Sequence, residues 1–327
     1  MRSPLPARVL GVGLVAAFAL AQPASAAIDP PAVKAVVSVT PRDYVNPPAP
    51  RFLERLPALP TGHVVKVDLV LLDKTIEIQR GMRYRAWTFN GTIPGPVIHA
   101  RVGDTLEVTL TNRAAMGHSI DFHAALAPPN VAYQTVAPGK TLRFSWVAQY
   151  PGAFVYHCGT PPVLAHISNG MYGAIIIDAP GDRAPRQSFV FVQSEFYPSL
   201  VAGTRDEYAG DMKKMEGVFA EVVLFNGRSF QYMERPLAIH VREPVRLYVV
   251  DAGPSHFSAF HVIGTLFRTV LQDGNPSNVQ HGIQTMTVPP GGGAIGEFTV
   301  YQAGHYPFVT HQFGDADHGA MGAFDAK

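Results

Sequence analysis

The chain has 327 residues, of which 47% are hydrophobic and 16% charged. A disordered chain would carry more charge, and a long helical protein would not tolerate 30 glycines and 29 prolines. Lys and Arg total 26 against 25 for Asp and Glu, with no basic stripe or tail, so no nucleic-acid partner is predicted. The length suits one large or two ordinary domains.

Residues 1–26 have the pattern of a secretory signal peptide. Arg2 and Arg8 accompany a short apolar run from Val9 to Ala21, and residues 24–26 form a small-residue cleavage site. The run is too short to span a bilayer comfortably, and no later stretch is long and apolar enough to do so. We therefore expect an exported, periplasmic protein that has no membrane partner.

Residues 27–62 are rich in proline and predict an extended N-terminal arm. After the arm, apolar residues alternate with others in short segments, which is typical of β-strands. Four of these segments begin at Val65, Leu106, Leu142 and Val245. Turn signals separate them, including Asn90-Gly91, where a turn explains the sequence better than a glycosylation site. The pattern predicts an all-β fold of two sandwiches, a first domain over 63–180 and a second over 186–327.

The single cysteine, Cys158, lies in surroundings that match a copper site. His166 follows it after seven intervening residues, and Met171 follows His166 after four more. Two histidine nitrogens, a cysteine thiolate and a weak axial methionine sulfur are the ligands of blue-copper electron-transfer sites. The remaining ligand would be His118, from a neighbouring strand. The sequence thus predicts a first copper site at these four residues.

Strand geometry predicts a second metal next to the first. Successive side chains of a strand point to opposite faces, so His157 points away from Cys158 and can hold another ion. His123 faces away from His118 for the same reason, and Asp121 shares the face of His123. The two sites would be joined through the His157–Cys158 backbone, which is a direct path for an electron.

The second site needs a third ligand, for which the sequence offers several histidines. His311 closes a strand similar to the one that ends at His157, in a short internal repeat, while His305 and His318 compete with it. Three histidines and one open position are typical of a catalytic metal site. His261 alone is as easily a core histidine, but a second-domain histidine near the metal would serve proton delivery.

These motifs resemble those of the copper-containing nitrite reductases, two-domain cupredoxin enzymes of denitrification that reduce nitrite to nitric oxide. The similarity runs from about Val64 to the C-terminus. The motifs that carry it are His118-Ser-Ile-Asp121-Phe-His123, Tyr-His157-Cys158, His166 with Met171, Phe-His261-Val-Ile263-Gly, Val-Thr-His311, and Phe89-Asn-Gly-Thr-Ile-Pro-Gly-Pro96. The resemblance implies two Greek-key cupredoxin β-sandwiches in tandem.

The resemblance also implies site roles and partners. Each subunit would hold one type 1 and one type 2 copper. The implied type 1 ligands are His118, Cys158, His166 and Met171, and the implied type 2 ligands are His123, His157 and His311. Asp121 and His261 would handle protons, and Ile263 would cap the nitrite pocket. A small redox donor, a cytochrome c or a cupredoxin, would supply electrons to a homotrimer whose type 2 sites lie between subunits.

One departure and two alternatives accompany this interpretation. The loop from Cys158 to His166 is one residue shorter than in the best-known family members. A two-domain multicopper oxidase would need several His-x-His pairs, and none of the 13 histidines has another two positions away. An electron carrier that holds only the first copper would leave Asp121, His261 and His311 without a role.

Overall fold

The computed structural model describes residues 36–39 and 54–327, so the predicted signal peptide and most of the predicted arm lie outside the described residues. Strands of the first half are β1 (Val36–Val39), β2 (Val64–Gln79), β3 (Met82–Phe89), β4 (Ile98–Arg101), β5 (Thr105–Asn112), β6 (Asp121–Phe122), β7 (Lys140–Val147), β8 (Gly152–His157) and β9 (Tyr172–Asp178). Strands of the second half are β10 (Gln187–Phe196), β11 (Pro198–Leu200), β12 (Glu207–Gly210), β13 (Val222–Phe225), β14 (Arg235–Ile239), β15 (Val245–Gly253), β16 (Ser258–Val262), β17 (Phe267–Gln272), β18 (Val279–Ile283), β19 (Met286–Val288), β20 (Gly293–Phe298), β21 (Gly304–Thr310) and β22 (Met321–Ala326). The helices are short: α1 (Pro129–Ala132), α2 (Val163–Ser168), α3 (Met212–Glu216), α4 (Gln231–Glu234) and α5 (Phe313–Asp317).

The described strands form four sheets. The first half contributes a four-stranded sheet, β4-β9-β8-β6, and most of a seven-stranded sheet, β1-β7-β5-β2-β3-β12-β11. The second half forms a six-stranded sheet, β13-β10-β15-β20-β17-β18, and a five-stranded sheet, β14-β22-β21-β16-β19. Strands β11 and β12 belong to the second half of the chain, yet they extend the first half's sheet beside β3. The prediction of an all-β fold is confirmed.

Alternating apolar residues form the strands because every second side chain reaches the core. In β2, Val65, Val67 and Leu69 are buried while the residues between them are exposed. Strands β9 and β10 differ, since all of their residues are buried. Burial on both faces of a strand means that other elements cover it on each side.

Three hydrophobic clusters form the core of the described residues. One fills the first half and includes Cys158 and Met171, and a second fills the second half. The third joins the two halves, for example Ile176 of β9 with Val190 of β10. Backbones also approach closely there: a Cβ on Gly293 would lie 2.0 Å from the Ala153 carbonyl oxygen. This shared cluster fixes how the halves sit against each other.

Local backbone geometry agrees with the predicted turn after β3. Asn90 and Gly91 have φ values of 57° and 76°, and such consecutive positive values are typical of tight hairpin-type turns. The Asn90 side chain accepts a hydrogen bond from the Val70 amide at 2.6 Å, which ties the turn to β2. No helix among the described residues has both the length and the apolar character needed to cross a membrane.

Candidate metal centres

The predicted ligands of the first site converge at the end of the four-stranded sheet. Cys158 directly follows β8, His166 lies in α2, and Met171 immediately precedes β9. The Cys158 amide donates to the Met171 carbonyl at 3.0 Å, so the loop that contains α2 closes on itself. His118 arrives from an isolated bridge with Val136.

Ligand atoms of this cluster lie within contact distance. His166 Nδ1 is 3.2 Å from Cys158 Sγ and 3.0 Å from His118 Nδ1. His118 Nδ1 is 4.0 Å from the sulfur. These three residues and Met171 are at most 1% exposed, and the Ser119 amide donates to the sulfur at 3.3 Å. Two imidazoles and a thiol therefore meet in a space closed to solvent.

The protonation state of the two histidines in this cluster favours metal binding. Burial lowers the pKa of His118 to about 3, with His166 adding to the effect, and burial lowers the pKa of His166 to about 4. Both rings are therefore neutral at neutral pH, and neutral imidazole is the form that binds metals. With neutral nitrogens 3.0 Å apart beside a thiol, the donor set fits copper.

Trp87 of β3 packs against both histidines of the first cluster, a contact that the sequence analysis missed. Its ring centroid lies 4.9 Å from that of His166 and 5.7 Å from that of His118. Trp87 itself is half-buried. No spacing signal could have found it, because the contact joins segments that are distant in the chain.

The second cluster lies on the other side of the same strand end. Asp121 pairs with His157 across β6 and β8, and the His123 amide donates to the Val155 carbonyl at 3.2 Å. The ligand atoms of Asp121, His123 and His157 all lie within 4.8 Å of one another. All three residues are at least partly open to solvent, unlike the first cluster.

Backbone carbonyls orient the two histidines of this second cluster. His123 Nδ1 lies 3.0 Å from the Gly291 carbonyl oxygen, and His157 Nδ1 lies 3.0 Å from that of Cys158. A carbonyl only accepts, so each Nδ1 carries the hydrogen and each Nε2 carries a lone pair. The two Nε2 atoms face each other at 2.9 Å. Opposed lone pairs need a proton or a metal between them, so this pair fits a metal ion.

His311 and His261 lie together elsewhere on the chain. His311 follows β21, and its amide donates to the Ala259 carbonyl of β16 at 2.7 Å. The ring centroids of His261 and His311 are 5.2 Å apart. The Nδ1 of His261 contacts the Gln284 carbonyl, which leaves Nε2 for other partners. Within one chain, neither histidine joins the described group of Asp121, His123 and His157.

The remaining predicted residues are Ile263, His305 and His318. Ile263 is 43% exposed, and its amide donates to the Pro307 carbonyl at 2.7 Å. His305 contacts Asp325 at 2.8 Å, and His318 ends α5. Among the described residues, neither histidine belongs to a group with metal-ligand geometry. A single chain therefore brings together the His118–Cys158–His166 group and the Asp121–His123–His157 group, and it does not bring His311 to the second group.

His256, which lies outside both predicted ligand sets, pairs with a buried carboxylate. Its Nδ1 lies 2.8 Å from the Asp315 carboxylate, and its side chain is only 22% exposed. The two residues lie far apart in sequence, and no local pattern links them.

Comparisons with known proteins give one consistent result. The first half matches the multicopper oxidase family model over residues 71–182. The chain is 38% identical over 265 residues to the copper-containing nitrite reductase of Neisseria gonorrhoeae, covering 79% of this chain and 67% of that protein. The copper nitrite reductase structure from Nitrosomonas europaea aligns with a TM-score of 0.74 at 33% identity, covering 81% of this chain and 94% of that one.

The chain belongs to the copper-containing nitrite reductases. The Cu-containing nitrite reductase from Thermus scotoductus is also similar, with a TM-score of 0.75 and 31% identity, over 81% of this chain and 62% of that one. The predicted family and the predicted cupredoxin fold are confirmed. Family membership also supports copper as the metal of these centres.

Proposed function

We propose that this chain reduces nitrite to nitric oxide by one electron, in a dissimilatory, denitrifying role. Nitrite, two protons and one electron give nitric oxide and water. The observation that carries the proposal is the pair of ligand clusters that share one strand end, where Cys158 belongs to one and the adjacent His157 to the other. A single peptide link is the shortest connection that two residues can have.

The type 1 copper ligands are His118, Cys158, His166 and Met171. Their burial and the neutral state of both imidazoles support this assignment. A site closed to water and made of soft ligands suits electron transfer, because the surroundings need to rearrange little when the charge changes. The half-buried ring of Trp87 packs against His166 of this cluster. The electron donor is a small redox protein, a cytochrome c or a cupredoxin.

The type 2 copper ligands are His123 and His157 of one subunit and His311 of a neighbouring subunit in a homotrimer. Each chain offers two opposed nitrogens on one face and an exposed His261–His311 pair on another. Apolar side chains surround the second face: Phe257 is 44% and Phe313 is 57% exposed. Exposed apolar patches of this kind are typical of protein interfaces.

Asp121 and His261 hold the two protons and pass them to the nitrite oxygen that leaves as water. Bound copper supplies the electron and a Lewis-acid position for nitrite. Asp121 is suited to its role because its carboxylate lies in the group with His123 and His157. His261 is suited because its Nδ1 is held by a carbonyl, which leaves Nε2 to carry a transferable proton. Ile263 shapes the apolar wall of the pocket.

Cleavage of the signal peptide after residue 26 places the enzyme in the periplasm.

The test is nitric oxide production by copper-loaded protein, given nitrite and a reduced artificial donor without oxygen. We expect His123→Ala to lose at least about 100-fold in rate, because it removes a metal ligand. His281→Ala is the matched control, since His281 is an exposed histidine of β18 outside both clusters. Wild-type protein that binds two coppers but makes no nitric oxide would point to another substrate. Wild-type protein that binds one copper would support the electron-carrier alternative.

A further inference from the structure

Three buried carboxylates lie in the second half of the chain, close to the strands that carry His261 and His311. Glu195 is at the end of β10, Asp251 is in β15 and Asp315 is in α5. They are 1%, 0% and 5% exposed respectively. A buried carboxylate is costly unless it is hydrogen-bonded or paired with a charge, so its partners identify the segments that it connects.

Glu195 holds the loop that leads into β16. One of its oxygens accepts the backbone amides of Ser255, at 2.9 Å, and of His256, at 2.5 Å. The other oxygen accepts the hydroxyl of Tyr197. The backbone of His256 is therefore fixed against β10 before the strand that carries His261 begins.

The His256 side chain continues this chain of contacts to α5. Its Nδ1 lies 2.8 Å from Asp315 Oδ1. A carboxylate only accepts, so the His256 Nδ1 carries the hydrogen and donates it to Asp315. The hydrogen bond to Asp315 raises the pKa of His256 to about 9, against the effect of its partial burial, and Glu195 adds to the rise.

This ion pair connects the two segments that carry the second-domain histidines. His256 precedes His261 in the loop before β16, and Asp315 follows His311 in α5. Parallel contacts join the same segments: the His311 amide donates to Ala259, and the Gln312 side chain donates to the Phe257 carbonyl. The ion pair is the charged and most buried member of this set.

We propose that His256 and Asp315 are positioning residues that set where His311 lies relative to His261. The inference rests on the proposed function, in which His311 is a ligand of the type 2 copper. His256 touches neither ligand cluster among the described contacts and acts through α5. Loss of the pair frees α5 to shift and carries His311 away from the geometry that the copper requires.

The test uses full-length copper-loaded protein with three variants: His256→Gln, Asp315→Asn and the double variant. We expect the type 1 visible absorption to be unchanged and the type 2 copper dissociation constant to rise about 10- to 100-fold, the usual cost of losing an orienting partner. Type 2 electron paramagnetic resonance parameters should change as well. Because the pair acts as a unit, the double variant should cost no more than either single variant.

The matched control is the exposed pair His305–Asp325, which has the same 2.8 Å separation on β21 and β22, with side chains 50% and 46% exposed. His305→Gln should leave type 2 copper binding unchanged. Folded His256→Gln and Asp315→Asn proteins that bind type 2 copper as tightly as the wild type would overturn the inference. If one variant does not fold, the other still decides, since each removes one partner.

A His311→Ala variant separates this inference from the proposed function. If His311→Ala binds type 2 copper normally, the ligand assignment fails, and the positioning role fails with it. If His311→Ala loses the copper while the His256 and Asp315 variants retain it, only the positioning role fails.

Discussion

The two ligand clusters share one strand end but differ in almost every physical respect. The cluster of His118, Cys158 and His166 is buried, and one chain brings its three ligand atoms within 4.8 Å of one another. The cluster of His123 and His157 is open to solvent, and a single chain gives it two histidines that face each other at 2.9 Å. A centre that only passes electrons gains from exclusion of water, whereas a centre that binds a substrate needs an open position. In the proposed function, this difference in burial separates the centre that transfers electrons from the centre that binds nitrite.

The largest predicted effect comes from removing the thiolate of the buried cluster. Cys158→Ser removes the thiolate, so the intense visible absorption of a copper–thiolate centre should disappear and turnover with a protein donor should fall at least about 100-fold. Copper at the exposed cluster should remain, as measured by metal content. A variant that keeps both its colour and its rate would contradict the assignment of Cys158.

The second prediction tests whether the exposed cluster is completed by another chain. His123→Ala and His311→Ala should each be inactive alone, because each removes one ligand of every site. Each mixed trimer from co-expression of the two variants would contain one site in three with all three histidines, so about a third of wild-type activity should return in the mixed trimers. Differently tagged chains allow the mixed trimers to be purified. If the mixture stays inactive, each site draws its ligands from one chain.

The third prediction concerns pH and the face that carries His311. The pKa of His256 is raised from 6.5 to about 9, so the folded chain binds more protons than the unfolded chain between these values. Its contribution to stability is complete below pH 6.5 and is lost as the pH rises through 9. The slope is at most about 1.4 kcal/mol per pH unit, reduced by solvent around the partly exposed ring. Asp315, Glu195 and the Val218 backbone face it.

Urea unfolding of wild type and His256→Gln from pH 6 to 10 measures this slope. The wild type should lose stability faster than the variant over that range. Equal slopes would show that the contact with Asp315 does not raise the pKa of His256 in the folded protein.

The smallest predicted effects come from His305 and His318, the two histidines that competed with His311 in the sequence. His305→Ala and His318→Ala should change the free energy of unfolding by less than about 0.5 kcal/mol, since both side chains are exposed. Nitrite turnover and type 2 copper content should remain close to those of the wild type. A marked loss of copper in either variant would reassign the third ligand.

Local pattern predicted the all-β fold and the residues that the structure brings together in each ligand group. The alternation of Val65, Val67 and Leu69 is set by burial of one strand face, and Cys158, His166 and Met171 lie within one short loop. Such features depend on neighbours in the sequence, so spacing reveals them.

Long-range contacts could not be predicted in the same way. Trp87 reaches His166 from another sheet, and β12 leaves the second half to pair with β3. The link between His256 and Asp315 depends on how β16 and α5 pack. None of these contacts produces a periodic pattern in the sequence. Each depends on how distant segments pack together, and many side chains of similar size could occupy the same position.

The close approach of Gly293 to Ala153 limits which halves of related proteins can be joined in a chimera. Any side chain at position 293 would collide with the Ala153 carbonyl. Gly274 also packs against Ala153, and a Cβ at position 274 would lie 2.5 Å from the Ala153 amide nitrogen. A chimera that takes one half from a relative must therefore keep glycines opposite Ala153. Otherwise the grafted half would be pushed outward, and the Gly291 carbonyl that orients His123 would move with it.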